Sequence, residues 1–109
     1  MVAMDPRIVH TLAVIEGDCA QRLTVTRLAA QFRLSRSRFE HLFKKQTGET
    51  FRSHLRGVRL AHAKSLLTDY SLSIKEVAAR CGYSSGSSLA RDFRKFIHSS
   101  PSKYRDSTF

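Results

Sequence analysis

Apolar residues recur along this chain at intervals of three and four, in short runs that each close on a turn residue. Ile8, Leu12 and Ile15 form the first run, opened by Asp5-Pro6 and ended at Gly17. A capping Asp followed by proline in the first helical position marks a helix start, so the pattern predicts a helix over about 6–16. Thr24 caps a second helix, about 25–32, with Val25, Leu28, Ala29 and Phe32 inward. Arg33-Leu34 then makes a turn, Ser35 caps a third helix over about 36–47, and Gly48 stops it in a left-handed conformation. Thr50 opens a longer helix, about 51–68, whose inner stripe reads Phe51, Leu55, Val58, Ala61 or His62, and Leu66. Ser73 with Glu76 is a capping box for a fifth helix, about 74–81. Gly82-Tyr83-Ser84 is the next turn, a sixth helix covers about 86–97, and Ser100-Pro101 launches a terminal turn through Tyr104. The expected fold is all-α, with seven helices and no strand.

The pattern also repeats. Leu23 to Ala30 lines up with Leu72 to Ala79 about 49 residues further on. Leu34-Ser35 falls on Tyr83-Ser84; one extra residue then enters the second copy, so Phe39 falls on Leu89, Phe43 on Phe93 and Lys45 on Lys95. Each copy reads as a helix-turn-helix. The expected organisation is a first subdomain over 6–48, a linker helix over 51–68 and a second subdomain over 72–105. Small residues, Ala29-Ala30 and Ala78-Ala79, are expected to let the first helix of each unit approach the second closely. Leu23, Leu28, Leu55, Leu66, Leu67, Val77, Tyr83 and Tyr104 are expected in the core, with one or both of Phe96 and Ile97.

Charge narrows the partner. The 109 residues carry 19 Lys and Arg against 9 Asp and Glu, a formal net charge of +10, which favours a polyanion such as nucleic acid or an anionic membrane. No apolar run approaches the roughly 18 residues of a membrane span, so no membrane partner is expected and the cytoplasm is the expected location. Of the two cysteines, Cys81 falls in the apolar rhythm and is expected buried, while Cys19 falls in a loop; no disulfide is expected. The five histidines are scattered without ligand spacing, so neither a metal nor a cofactor is expected.

The third and sixth helices each have two unlike sides. In the third, Phe39, Leu42 and Phe43 are apolar, and Ser37, Glu40, His41 and Lys44 lie opposite. In the sixth, Leu89 and Phe93 anchor, and Ser87, Arg91, Arg94 and Lys95 lie opposite. A recognition helix needs such an arrangement, because its first turns enter the major groove. An ordinary solvated helix shows it too; the repeat and the charge are what favour the first reading.

The segments Ser73 to Ala78, Gly82-Tyr83-Ser84-Ser85, Leu89 to Lys95 and Ser100-Pro101-Ser102-Lys103-Tyr104-Arg105 resemble the C-terminal signature of the DNA-binding domain of the AraC/XylS family of bacterial transcription regulators. Leu34 to Phe39, Leu42 to Lys45 and Thr47-Gly48 resemble its first reading unit, and the likeness covers about 8–105. The resemblance implies two helix-turn-helix subdomains joined by a long helix, with the third and sixth helices in successive major-groove segments. A linker of about 18 residues spans roughly 27 Å, of the order of the roughly 34 Å turn between such segments.

By family position, Ser37, Glu40 and His41 would face bases from the third helix, and Gly86, Ser87, Ser88 and Arg91 from the sixth. Glu40 suits a cytosine amino group and Arg91 a guanine; Glu40 can equally be a surface carboxylate. The chain departs from the family pattern at Gly86, where a large side chain such as Gln is common, and at Ile97-His98, where a Gly usually follows the helix. Phosphate contacts are expected from Arg36, Arg38, Lys44, Lys45, Arg94 and Lys95, and from the caps Ser35 and Ser85.

The expected function is a sequence-specific transcription regulator on double-stranded promoter DNA. An activator role, with RNA polymerase as a further partner, is implied by the resemblance alone. The alternative is a non-specific or architectural nucleic-acid-binding protein, which the small Gly86, Ser87 and Ser88 keep open. An enzyme is not expected. The chain reads either as a stand-alone regulator, which would bind as a monomer, or as the C-terminal part of a longer protein. Its first unit, with the richer face, is expected to supply most of the discrimination, and its second chiefly docking and phosphate grip.

Overall fold

The computed structural model describes residues 3–107. Seven helices and no strand occur among them: α1 (Pro6–Gly17), α2 (Val25–Gln31), α3 (Arg36–Thr47), α4 (Phe51–Leu67), α5 (Ile74–Arg80), α6 (Gly86–Ile97) and α7 (Pro101–Ser107). The expected ends hold to about a residue, save that the terminal turn runs on as a helix to Ser107. Capping explains the starts. Asp5, Thr24, Ser35, Ser73 and Ser85 each accept a backbone N–H from the first turn of the helix that follows. At α5 both halves of the Ser73–Glu76 capping box are present.

The chain divides into two compact units, Met1–Val58 and Arg59–Phe109. In the first, α1 and α2 pack on α3 around Ile8, Ile15, Leu28, Ala29, Phe39, Phe43, Phe51 and Leu55. Rings dominate this core: Phe43 meets Phe51 at 5.6 Å and His54 at 5.7 Å, both edge-on. Two buried residues here lie outside the apolar pattern. Thr11 is fully buried because its hydroxyl donates to the Arg7 carbonyl one turn back. Cys19, in the expected loop, is 6% exposed and belongs to the core.

In the second unit, α5 and α7 pack on α6 around Leu60, Ala63, Leu67, Leu72, Val77, Ala78, Cys81, Leu89 and Phe93. This core is mostly aliphatic, with Tyr104 edge-on to Phe93 at 5.3 Å. Arg105 closes it by donating from Nε to the Leu67 carbonyl and from Nη2 to the Leu72 carbonyl. Those bonds satisfy the carbonyl at the end of α4 and hold α7 against the loop before α5.

Two expectations about burial are corrected, and a third is narrowed to one of its two residues. Ala61 and His62 are exposed, and α4 instead buries Leu60, Ala63 and Leu67. Leu60 follows Val58 by two residues, about 200° around the helix. The buried positions of α4 thus pass from Phe51 and Leu55 to Leu60, Ala63 and Leu67. Of the alanine pairs, Ala29 and Ala78 are buried while Ala30 and Ala79 are exposed, so one small residue per unit makes the close approach. Phe96 is 41% exposed with Lys95 Nζ 5.4 Å from its ring centroid, and Ile97 packs on the core in its place.

Candidate nucleic-acid interface

Each helix-turn-helix is fixed by the same backbone device. Leu34 N–H donates to the Ala29 carbonyl at 2.9 Å, and Tyr83 N–H to the Ala78 carbonyl at 3.0 Å. The turns are left-handed at Arg33 (φ 56°) and Gly82 (φ 87°). Beyond them, Phe39 and Phe43 hold one side of α3 inside the first core, and Leu89 and Phe93 do the same for α6. The remaining side of each helix is thereby committed to solvent or to a partner.

On α3 the exposed residues are Arg36, Ser37, Arg38, Glu40, His41, Lys44 and Lys45. Ser35 is engaged as the cap, accepting from Arg38 N–H at 3.2 Å. Arg36 Nε approaches Glu40 Oε1 at 3.4 Å, with both side chains largely in solvent. Such an exposed pair adds little stability, but it keeps a cation beside the carboxylate that would otherwise repel a phosphate. Ser37, Glu40, His41 and Lys44 follow the three- and four-residue spacing of one helix face, as expected.

On α6 the structure separates the expected readers. Ser87 and Arg91 are exposed and share a recess with Ala90, Arg94 and Lys95. Ser88 is half-buried: its N–H donates to the Ser85 hydroxyl at 3.0 Å, and its own hydroxyl lies 3.1 Å from Ser85 Oγ and 3.3 Å from Ser84 Oγ. Ser88 thus belongs first to the cap of α6. Gly86 is half-buried near the start of α5, where an added Cβ would meet Lys75 Cα at 3.9 Å and Ile74 Cγ2 at 4.0 Å. Those are ordinary contacts, so the backbone does not require glycine there. The end of α6 closes without a glycine: His98 takes the left-handed conformation (φ 64°) and its N–H donates to the Arg94 carbonyl at 3.0 Å.

Tyr83 ties the second turn to α6 by donating from its hydroxyl to Asp92 Oδ2 at 3.1 Å. Burial, then the Asp92 charge, pushes the Tyr83 phenol well above its usual range, so it remains a donor. The corresponding positions of the first unit are Leu34 and Leu42, which are half-buried beside a cationic recess. Arg7, on α1, lines that recess, a position the repeat on α3 and α6 could not reveal. Among the described residues no group of three or more His, Cys, Asp or Glu is placed to hold a metal ion, and no helix is long and apolar enough to cross a membrane.

Residues 28–107, which include both turns and both candidate recognition helices, match the family described as helix-turn-helix domain, of AraC type. The chain belongs to the AraC/XylS family. A relative from Escherichia coli K12, the uncharacterized HTH-type transcriptional regulator YijO, is 42% identical over 91 residues, covering 84% of this chain and 32% of its own. The HTH-type transcriptional activator RhaS of Klebsiella pneumoniae is 35% identical over 101 residues, covering 93% of this chain and 36% of its own. The AraC-type module here therefore spans about a third of the length of these two relatives. The solved DNA-binding domain of AdpA, a global transcriptional factor in complex with a target DNA, superposes with a TM-score of 0.87 at 31% identity, covering 94% of this chain and 93% of that one.

Proposed function

We propose that the chain is the DNA-reading module of a bacterial transcription activator, with α3 and α6 entering successive major-groove segments of a promoter. One observation carries the reading: two capped helices, each buried along one side, present Ser37, Glu40 and His41 in one unit and Ser87 and Arg91 in the other to the outside. Arg91 suits guanine O6 and N7, and Glu40, steadied by Arg36, suits a cytosine amino group. Gly86 and Ser88 contribute shape more than hydrogen bonds, since one lacks a side chain and the other is engaged in the cap. Arg36, Arg38, Lys44, Lys45, Arg94 and Lys95, with the caps Ser35 and Ser85, grip the backbone.

Two heads in one chain fit an asymmetric site without a second copy of this module, which would bind as a monomer if it stands alone. RNA polymerase is the further partner that an activator requires, and the cytoplasm is where both would meet. Cysteine-based group transfer would need an accessible thiol, and both cysteines are buried. Retrieval of enriched genomic fragments, then affinity for one of them against its scrambled version at a single salt concentration, tests the proposal. A ratio of about 1,000 or more fits a regulator; a ratio near one replaces it by the architectural reading that Gly86, Ser87 and Ser88 keep open.

A further inference from the structure

A recess of about 340 Å³ lies between α1 and α3, with Arg7, Arg38, His41 and Lys45 around Leu34 and Leu42. We propose that it seats a backbone phosphate of the bound duplex, and that Arg7 is a phosphate contact which Asp5 holds in position. The proposal rests on the duplex-binding reading above and adds α1 to the interface.

Three observations carry it. First, the recess is net positive. Arg7, Arg38 and Lys45 line one small space, and Coulomb attraction there favours an anion. The nearby carboxylate, Asp5, is paired with Arg7 itself: it accepts from Arg7 Nε at 3.0 Å, from Arg7 Nη2 at 2.7 Å and from Arg7 N–H at 2.9 Å, so Arg38 and Lys45 leave the recess net positive. Second, Arg7 is fixed. Beyond its two side-chain bonds to Asp5, the five-donor guanidinium keeps about three N–H groups for an oxyanion. Asp5 N–H in turn donates to Gln46 Oε1 at 2.7 Å, which pins the start of α1 to the end of α3. The fork is thereby held beside the recognition helix at little further entropic cost.

Third, the second unit lacks the same chemistry at the matching place. Tyr83 and Asp92 stand where the first unit has Leu34 and Leu42, and they are bonded to each other. A carboxylate there repels a phosphate, whereas Leu34 and Leu42 lower the local dielectric and strengthen its attraction to the surrounding cations. The space is ample: about 340 Å³ is roughly eleven times the volume of one water in the liquid. Phosphate grip is therefore not confined to the second unit. The first unit both reads and holds.

Anisotropy of a labelled duplex with the intact chain, across a potassium chloride series, reads phosphate contacts as the slope of log K against log salt. Arg7→Gln is expected to lower that slope by about 0.9. Arg7→Lys, which keeps the charge without the fork, is expected to keep the slope while weakening binding. Lys103→Gln, the loss of an equal charge on α7, is expected to change the slope by less than half as much. Equal effects from Arg7→Gln and Lys103→Gln overturn the seat, because Arg7 then counts only as net charge. If far-UV circular dichroism shows that Arg7→Gln does not fold, Asp5→Asn serves instead: weaker binding supports the seat and unchanged affinity overturns it. Exchanging chloride for inorganic phosphate at constant ionic strength separates the sources. Release of duplex from the wild type and not from Arg7→Gln shows competition for the seat and supports it; saturable binding of inorganic phosphate to the duplex-free chain that Arg7→Gln abolishes, with an unchanged duplex salt slope, reassigns the seat to free phosphate. A wild-type chain that holds no duplex at all overturns the duplex-binding reading itself, which is a different result.

Discussion

The two units use the same backbone devices at their turns and helix ends and place their glycines oppositely. Each needs one left-handed residue in its turn and another at the end of its recognition helix. The first unit uses Arg33 and Gly48 there, and the second uses Gly82 and His98. The cores differ in a similar way, aromatic around Phe43 in one and aliphatic around Phe93 in the other. What the units share is therefore geometry: a turn in which the residue after the left-handed position bonds back to a buried alanine's carbonyl, and a helix anchored by two apolar side chains. Because the scaffold is secured by backbone bonds and buried anchors, the exposed side is chemically unconstrained. That leaves α3 to carry Glu40 and His41 where α6 carries Ala90 and Arg91.

The largest effect should come from the anchors. Phe43→Ala removes a fully buried ring with three aromatic neighbours and should cost about 3–5 kcal/mol. Native-state hydrogen exchange should show the loss in α1–α3, and Phe93→Ala should show its own in α5–α7. Equal deprotection of both units by either change would break the division into two. The left-handed positions come next. Gly48→Ala and Gly82→Ala should each destabilise by about 1 kcal/mol, and His98→Gly and Arg33→Gly should be neutral or stabilising by a few tenths. On a chain of this size about 1 kcal/mol moves the melting temperature by roughly 4–8 °C, so thermal melts of the four variants suffice. Destabilisation by His98→Gly would show that its side chain, not its backbone, closes α6.

The smallest effect concerns Asp5. Its bonds to the Arg7 side chain and backbone N–H hold its carboxyl down from the usual 3.8 to about 2. A carboxylate lowered by folding stabilises the folded state fully above its ordinary value and loses that contribution as pH falls through its folded one. The first unit should therefore lose a small stability increment between about pH 4 and pH 2, and Asp5→Asn should remove it. An unchanged acid melting profile in Asp5→Asn would show that the pair contributes nothing to the fold.

Local features of this fold were legible in the chain, since caps, turns and the capping box depend on residues three or four apart. Ser35, Gly48, Ser73 with Glu76, and Ser85 all take the expected roles. The misreadings were tertiary. On α4 the buried residue is Ala63 where Ala61 or His62 was expected, and nothing in Ala61-His62-Ala63 announces it. Thr11 is buried because its hydroxyl finds a carbonyl on its own helix. On the interface, the alternation of faces on α3 and α6 exposed most of the candidate readers. Ser88 was less readable, since its hydroxyl could point outward or into the Ser85 cap until the cap geometry was fixed. Arg7 was invisible because its neighbours on α3 lie about 30 residues away in sequence, so no local period connects them.

The central claim is that the two units read DNA as separate heads of unequal discrimination. Selection of bound sequences from a randomised duplex pool, run on the wild type and on Arg91→Ala, tests it most directly. The account predicts two clusters of preferred bases about 10 base pairs apart, the sharper belonging to α3, with Arg91→Ala flattening one position of the other cluster and leaving the first intact. A single cluster, or a uniform loss of preference across both with Arg91→Ala, would contradict it.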